Sequence, residues 1–293
     1  MIVLGAAAWD VLLGEPPRRV HPVVGMVRLL DTLGPQRRVT GESRTDTALG
    51  AVSWAISLGV VSVTTIAAMH LVAKLPAPLR LACKAFLLKS AFAHRMLVAE
   101  GVAVEEALAD SLESGRLRLS HLVSRPTDDL TEGDVREAAI EAIAENINDS
   151  VVAPLFWYAI GGLPGAMAYR MVNTADAMWG YRGAREYTGR VAAVADDVAS
   201  WLPARLSGLL IRPHRLRETA RAATPAPSPN SGWPMAAMAL QLNVRLSKPG
   251  QYVLNESGQP PAPRDVARAA SVADRVFVAS VLGSAFLAWR RRG

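Results

Sequence analysis

The chain reads as an all-α, polytopic integral membrane protein with helical aqueous segments, and three observations predict this. No stretch of any length alternates apolar and polar residues with the period of a strand. Segments 48–73 and 150–169 are each apolar over the roughly 20 residues a helix needs to cross a bilayer. Hydrophobic residues make up 51% of the 293, and mean hydropathy is +0.18. That is high for a soluble protein and low for a transporter built wholly of spans.

The elements follow in order along what reads as a single membrane-embedded domain, 1–293. Residues 1–13 form a short apolar helix interrupted by Asp10. A turn-rich loop, Gly14-Glu15-Pro16-Pro17-Arg18-Arg19-Val20-His21-Pro22, comes next. Residues 48–73 are the clearest span, with His70 their only ionisable group. Residues 82–99 intersperse apolar turns with Lys84, Lys89, His94 and Arg95, the pattern of one amphipathic helix. The region 101–147 is helical and aqueous. Within it, Thr131 and Asp134 form a capping box that opens an acidic helix. The span 150–169 is broken by Gly161-Gly162-Leu163-Pro164-Gly165, a break that lines protein or water rather than lipid. Segments 193–211, 233–246 and 272–289 are weaker span candidates. The chain ends in Arg290-Arg291-Arg292.

Bulk charge narrows the partners. The net charge is +6, carried mostly by arginine, with a pI near 9.9. In a membrane protein this suits anionic headgroups and cytoplasmic loops. No aromatic-interleaved basic patch or nucleic-acid motif accompanies it, so nucleic acid is not expected. The one cysteine, Cys83, excludes an intrachain disulfide and a cysteine-built metal site. The N-terminus has no basic n-region ahead of Asp10, so no cleaved signal peptide is expected.

Three clusters could carry chemistry. Glu137, Glu141, Glu145 and Asp149 recur every four residues and so stack along one helical stripe. Like charges at that spacing repel, so the row meets cations or serves a reaction rather than stabilising the helix. Oxygen ligands beside a bilayer suit a divalent metal, although a solvated face is the commoner explanation for Glu137. Asn173 and Asp176 share a helix face that Gly180 should end, with Tyr181 and Arg182 just beyond. Asp196-Asp197 in an apolar segment need pairing or metal, and Arg205, over two turns on, is equally a structural partner or a phosphate ligand. Weaker signals are His21, more often structural in such a loop, and Ser228-Pro229-Asn230, whose backbone N–H groups could hold a phosphate. No Walker loop, dinucleotide fingerprint, HExxH or GxSxG is present.

Taken in order, these segments resemble the CobD/CbiB family of cobalamin biosynthesis. The resemblance runs from Asp10-Val11-Leu12-Leu13-Gly14-Glu15-Pro16-Pro17 and His21-Pro22 through the block from Glu141 to Pro154. It continues through Gly161–Gly165, Asn173-Thr174, Asp176 and Gly180-Tyr181-Arg182. Beyond these come Asp196-Asp197, Pro203-Ala204-Arg205 and Ser228-Pro229-Asn230. The chain departs at Arg125-Pro126-Thr127, where the family commonly reads Arg-Asp-Thr, and at Ser200, where asparagine is usual.

The resemblance implies an adenosylcobinamide-phosphate synthase in the cell (cytoplasmic) membrane, multi-pass. It would join aminopropanol or its phosphate to the free propionate of adenosylcobyric acid, with ATP and Mg²⁺ as co-reactants. On that reading an acyl phosphate activates the carboxylate, and the phosphates need metal and positive charge. Glu145, Asp149, Asp196 and Asp197 are then the metal ligands. Glu141 or Asp176 is the general base. Asn146, Asn173, Tyr181, Arg182, Arg205, Asn230 and His21 bind substrate. Self-association, or association with other enzymes of the pathway, is compatible with this reading. Two rivals are a membrane transferase using diphosphates and a non-catalytic corrinoid carrier. The first lacks a DDxxD pattern, since Ser200 stands three after Asp197. The second lacks internal repeats.

Overall fold

The computed structural model describes residues 1–34, 40–180 and 186–291. The chain is helical almost throughout and forms two compact units, each assembled from separate stretches of sequence. The first contains residues 1–93, 153–200 and 281–293, the second 94–152 and 201–280.

In the first unit, α1 (Ile2–Leu13) ends where Gly14 takes φ 72° and returns its N–H to the carbonyls of Trp9 and Asp10. His21 caps α2 (Pro22–Leu33): its Nδ1 accepts the Val23 N–H at 3.2 Å, and Pro22 supplies a preset φ in the first turn. The expected amphipathic helix over 82–99 is instead two helices, α4 (Ala77–Lys89) and α5 (His94–Asp110). They break at Ser90–Ala93 because Lys89 turns inward rather than to a surface. Fully buried, its ammonium lies 2.9 Å from Asp10 and 2.6 Å from Glu15, and donates to the Phe92 carbonyl at 2.9 Å. Glu15 also accepts from His21 Nε2 at 3.1 Å. Its partial burial would raise its carboxyl. The bonds from His21 and Lys89 outweigh that and hold it below the ordinary value.

The long helix α3 (Ser43–Ala73) is built inside out for water. It buries Asp46, Gly50, Ser57, Val61 and Thr65, and exposes Val52, Ile56, Val60, Val63, Ile66 and Leu71. A small-residue face lets backbones approach: a Cβ on Gly50 would stand 2.1 Å from the Thr188 carbonyl. The exposed apolar face needs lipid. Among the described residues, three helical stretches are long and apolar enough to cross a membrane: Ser43–Ala73, the stretch within Glu132–Trp179, and Pro263–Arg290. The last is α12, which exposes Val278, Leu282 and Phe286 at four-residue spacing.

α8 (Ala153–Trp179) breaks where the glycines and Pro164 predict, at Gly162, with φ 64°. α9 (Glu186–Ile211) carries Pro203, which has no N–H for the Ala199 carbonyl one turn back. Trp157 Nε1 donates to that carbonyl at 3.0 Å instead. Tyr158 and Trp179 are buried in protein.

The second unit centres on α7 (Glu132–Ile147), opened by the Thr131–Asp134 capping box. Its Val135, Ala138, Ala139, Ile140 and Ile143 are fully buried, and alanines keep its neighbours close. Gly101 of α5 is one such approach, since a Cβ there would meet Ile143 at 2.5 Å. α6 (Leu112–Leu119) and α10 (Leu216–Ala223) are short. α11 (Gly232–Leu242) is buried on nearly every face, so the apolar segment 233–246 fills a protein core rather than a bilayer.

The sequence pattern did not predict a hairpin, yet β1 (Leu246–Lys248) pairs antiparallel with β2 (Tyr252–Leu254). Its turn runs through Pro249 and Gly250, the latter at φ 73°, and Gln251 N–H closes on the Lys248 carbonyl at 2.9 Å.

Lys89→Ala would leave Asp10 and Glu15 without their cation and is expected to cost about 3–5 kcal/mol. Thermal unfolding in detergent should show the loss, with partial recovery when Asp10→Asn is added. An unchanged midpoint for the single variant would sink the account of this network.

Candidate active site in the second unit

Between loop 122–125, α7 and the hairpin lies a small cleft of about 140 Å³. Arg125, Glu141, Glu145, Asn146, Lys248 and Tyr252 supply its polar lining. The hairpin register places Lys248 directly opposite Tyr252, so the turn delivers both to the cleft together. Glu137 fixes the hairpin on α7. Almost fully buried, it accepts from Ser247 Oγ at 2.5 Å and Arg245 Nη2 at 3.3 Å. The solvated-face reading of Glu137 is thus overturned.

Glu141, one turn on, is only 5% exposed. Its Oε2 accepts from Arg125 Nη2 at 3.3 Å, a long contact, while Oε1 has no hydrogen-bond partner. Burial pushes its carboxyl up to about 7, against the pull of Arg125 and the Tyr252 hydroxyl; Glu145 and Glu137 add like charge in the same direction. Glu141 precedes the apolar stretch that begins at 150, so protein rather than lipid buries it. Tyr252 is pushed further from ionising, by burial and then by Glu141, and directs its O–H to Met235 Sδ at 3.8 Å. Glu145 is exposed at the rim, in the fields of Asp149 and Lys248. Asn146 donates back to the Ala142 carbonyl at 2.9 Å.

Past the cleft the helix widens into a π turn, Asn148–Val152, the kind of irregularity often found at working sites. Asn148 is buried. It accepts from Ser207 Oγ at 3.0 Å and donates to Asp149 Oδ1 at 2.7 Å. The extra residue interrupts the stripe that four-residue spacing implies for Asp149. Elsewhere in this unit Arg205 Nη1 donates to Asn230 Oδ1 at 2.7 Å and to the Trp201 carbonyl at 2.9 Å. Its guanidinium lies over Trp201 and Trp233, 4.4 and 5.0 Å from their ring centroids. Arg205 makes no ion pair among the described residues. The backbone N–H groups of Asn230 and Ser231, expected to be open to phosphate, are taken by Ser228 Oγ at 3.2 Å each.

The other candidates fall in the first unit. Asn173 Nδ2 donates to Asp196 Oδ1 at 3.3 Å, which joins two motifs 23 residues apart. Asn173 Oδ1 accepts from Arg170 at 3.4 Å. Asp176 ends α8 through its carbonyl, which accepts the Gly180 N–H at 2.7 Å. A Cβ on Gly180 would meet its carboxylate at 2.0 Å. Ser200, at the position of the family's asparagine, shares a 3.1 Å hydrogen bond with Tyr169. His21 has both ring nitrogens engaged by the fold. Tyr181 and Arg182 lie outside the described residues.

No three metal-ligating side chains converge among the described residues. Asp196 and Asp197, adjacent on a helix, point about 100° apart. Mg²⁺ bound with phosphates uses one or two carboxylates and completes its shell from substrate and water. Glu145 with Asp149 fits that smaller demand, and so does Asp196 or Asp197 singly.

A family model described as CobD/Cbib protein matches residues 3–276. The chain belongs to the CobD/CbiB family. A probable cobalamin biosynthesis protein CobD of Methanothermobacter thermautotrophicus is 39% identical over 266 residues, covering 87% of this chain and 86% of the relative. One of the same description from Pyrococcus furiosus is 40% identical, with 90% of each chain covered. The cobalamin biosynthesis protein CobD of Dehalococcoides mccartyi is 34% identical over 91% of this chain and 90% of its own. No solved structure matches. As a CobD/CbiB protein with apolar helices of spanning length, the chain acts in cobalamin biosynthesis in association with a membrane.

Glu141 gives this site a pH signature. Its folded value lies above its unfolded one, so its contribution to stability is whole below about 4.5 and is lost as pH rises through about 7. Over that window the parent should lose roughly 1–3 kcal/mol relative to Glu141→Gln. Denaturant titrations at several pH values measure the difference. Parallel pH profiles for the two proteins would contradict the assignment.

Proposed function

We propose that this protein is an amide-forming ligase, joining aminopropanol or aminopropanol phosphate to the free propionate of adenosylcobyric acid, with Glu141 as general base. The observation that carries the reading is the buried Glu141 carboxylate, with an unpartnered oxygen and a pKa near 7, in a cleft sized for a small amine. At about 140 Å³ the cleft is well below the roughly 300–1,000 Å³ of drug-sized sites. It admits the amine and the propionate tip, and leaves the corrin ring outside.

A carboxylate is a poor electrophile and an ammonium is no nucleophile. ATP would transfer its γ-phosphoryl group to the propionate, giving an acyl phosphate and ADP. Glu141 Oε1 takes one proton from the ammonium, the freed nitrogen attacks the acyl carbon, and phosphate leaves with the bonding pair and takes up the second nitrogen proton as hydrogen phosphate. A base poised near neutrality serves this step at the working pH. Arg125, already on Oε2, holds the carboxylate's orientation. Mg²⁺, held by Glu145 and Asp149 or by Asp196 or Asp197, would supply charge neutralisation to the phosphates. The membrane helices would place the reaction at the cell membrane.

Purified protein in detergent, given adenosylcobyric acid, aminopropanol phosphate, ATP and Mg²⁺, should yield a corrinoid heavier by the amine minus water. Its rate should rise with pH through about 7. Glu141→Gln should lower it about 10²–10⁴-fold and flatten that limb. An ATP-independent product, or full activity in the variant, would overturn the reading.

A further inference from the structure

In the first unit a groove of about 570 Å³ runs between α3, α8 and α9. That is the size of a small-molecule site rather than of a gap between packed side chains. One stripe of α9 forms its floor: Arg190, Val191, Val194, Ala195, Val198 and Ala199 recur at helical spacing. The stripe is about 13 Å long at 1.5 Å per residue. Thr47 and Trp54, two turns apart on α3, and Trp157 and Val172 of α8 form the walls.

The groove is apolar except at one end. There Arg190 is exposed and makes no ion pair or hydrogen bond among the described residues. The Thr47 hydroxyl donates to the Ser43 carbonyl at 2.7 Å, and Asp46 beside it accepts from Thr40 and Gly41. Neither therefore answers the guanidinium. Its depth in a membrane follows from two contacts. A Cβ on Gly50 would stand 2.1 Å from the Thr188 carbonyl, which ties the start of α9 to the first turns of the spanning helix α3. Arg190 thus lies near a bilayer boundary, where exposed Tyr187 also suits the headgroups. At the far end the Ala199 carbonyl accepts from Trp157, inside the apolar stretch of α8. Val194 and Val198, between the two ends, are exposed.

We infer that this groove holds one anionic phospholipid, its headgroup phosphate on Arg190 and one acyl chain along the α9 stripe toward Trp157. A single cation at one end of an apolar trough selects an amphiphile with a single anionic end. The guanidinium can give two phosphate oxygens parallel N–H bonds. A corrinoid or a nucleotide would leave its amides or ring nitrogens unpaired against Val191, Val194 and Val198. Val172 and Ala195 of the groove immediately precede Asn173 and Asp196, whose 3.3 Å hydrogen bond joins α8 to α9. The acyl chain packs against the two helices which that contact joins, so the lipid is a structural part of the unit.

The test is native mass spectrometry of the delipidated full chain in detergent, titrated with dioleoyl phosphatidylglycerol or with dioleoylglycerol, which has the same chains and no phosphate. The parent should take up one phosphatidylglycerol at least about fivefold more tightly than dioleoylglycerol. Arg190→Ala removes an exposed side chain that pairs with nothing among the described residues, so the fold should tolerate it, and the preference should vanish. Val194→Trp puts an indole into the groove from an exposed position. It should weaken both lipids about tenfold, roughly the worth of two methylene contacts. Phosphatidylglycerol should also raise the thermal midpoint of the parent more than that of Arg190→Ala. Equal binding of the two lipids by the parent, or both variants binding as the parent does, would reveal an unselective lipid belt and overturn the assignment. A doubled parent mass that Val194→Trp abolishes would give the groove to a second copy of the chain and overturn it as well.

Discussion

The second unit depends on the cost of burying carboxylates along one face of α7. Glu137 and Glu141 stand one turn apart inside protein, where an uncompensated charge is worth several kcal/mol of instability. Each therefore draws a basic segment onto the helix. Glu137 holds the hairpin through Arg245 and Ser247 and is fully satisfied. Glu141 holds the 122–125 loop through a single long contact from Arg125 and is not. One buried carboxylate is structural and its neighbour keeps an oxygen with no hydrogen-bond partner. The cleft is the space between the two segments these charges recruit.

The same economy appears in the first unit with the opposite sign. There a buried cation, Lys89, gathers Asp10 and Glu15, and His21 completes the set. Such a network fixes how α1, the proline loop and α4 meet without relying on apolar contact alone. That matters in a unit whose helix α3 turns its large apolar side chains outward. The inner face of α3 is built from small residues and hydroxyls instead.

Helical class, the capping box, the break near Gly162 and two of the three spanning stretches were legible because each rests on local spacing. Family membership was legible because the motifs occur in order. The cleft was not. Its walls come from residues more than a hundred positions apart, and Lys248 and Tyr252 carry no signature except the Pro249-Gly250 turn between short strands. That turn, flanked by Leu246 and Leu254, was the available signal. Lys89 was misread because amphipathic spacing assigns a lysine to a surface, and only Asp10 and Glu15, some 75 residues earlier, reverse that. The apolar segment 233–246 was ambiguous for the complementary reason: a core helix and a membrane helix share one composition.

The account turns on Glu141 exchanging its proton near neutrality. Isotope-edited infrared difference spectroscopy on protein with ¹³C-labelled glutamate, compared with Glu141→Gln, follows that carboxyl directly. The account predicts a protonated-carboxyl band, absent from the variant, that disappears as pH is raised through about 7. A band that is gone by about pH 5, the ordinary range for a solvated glutamate, would show that Glu141 is charged throughout and would contradict its role as the poised base.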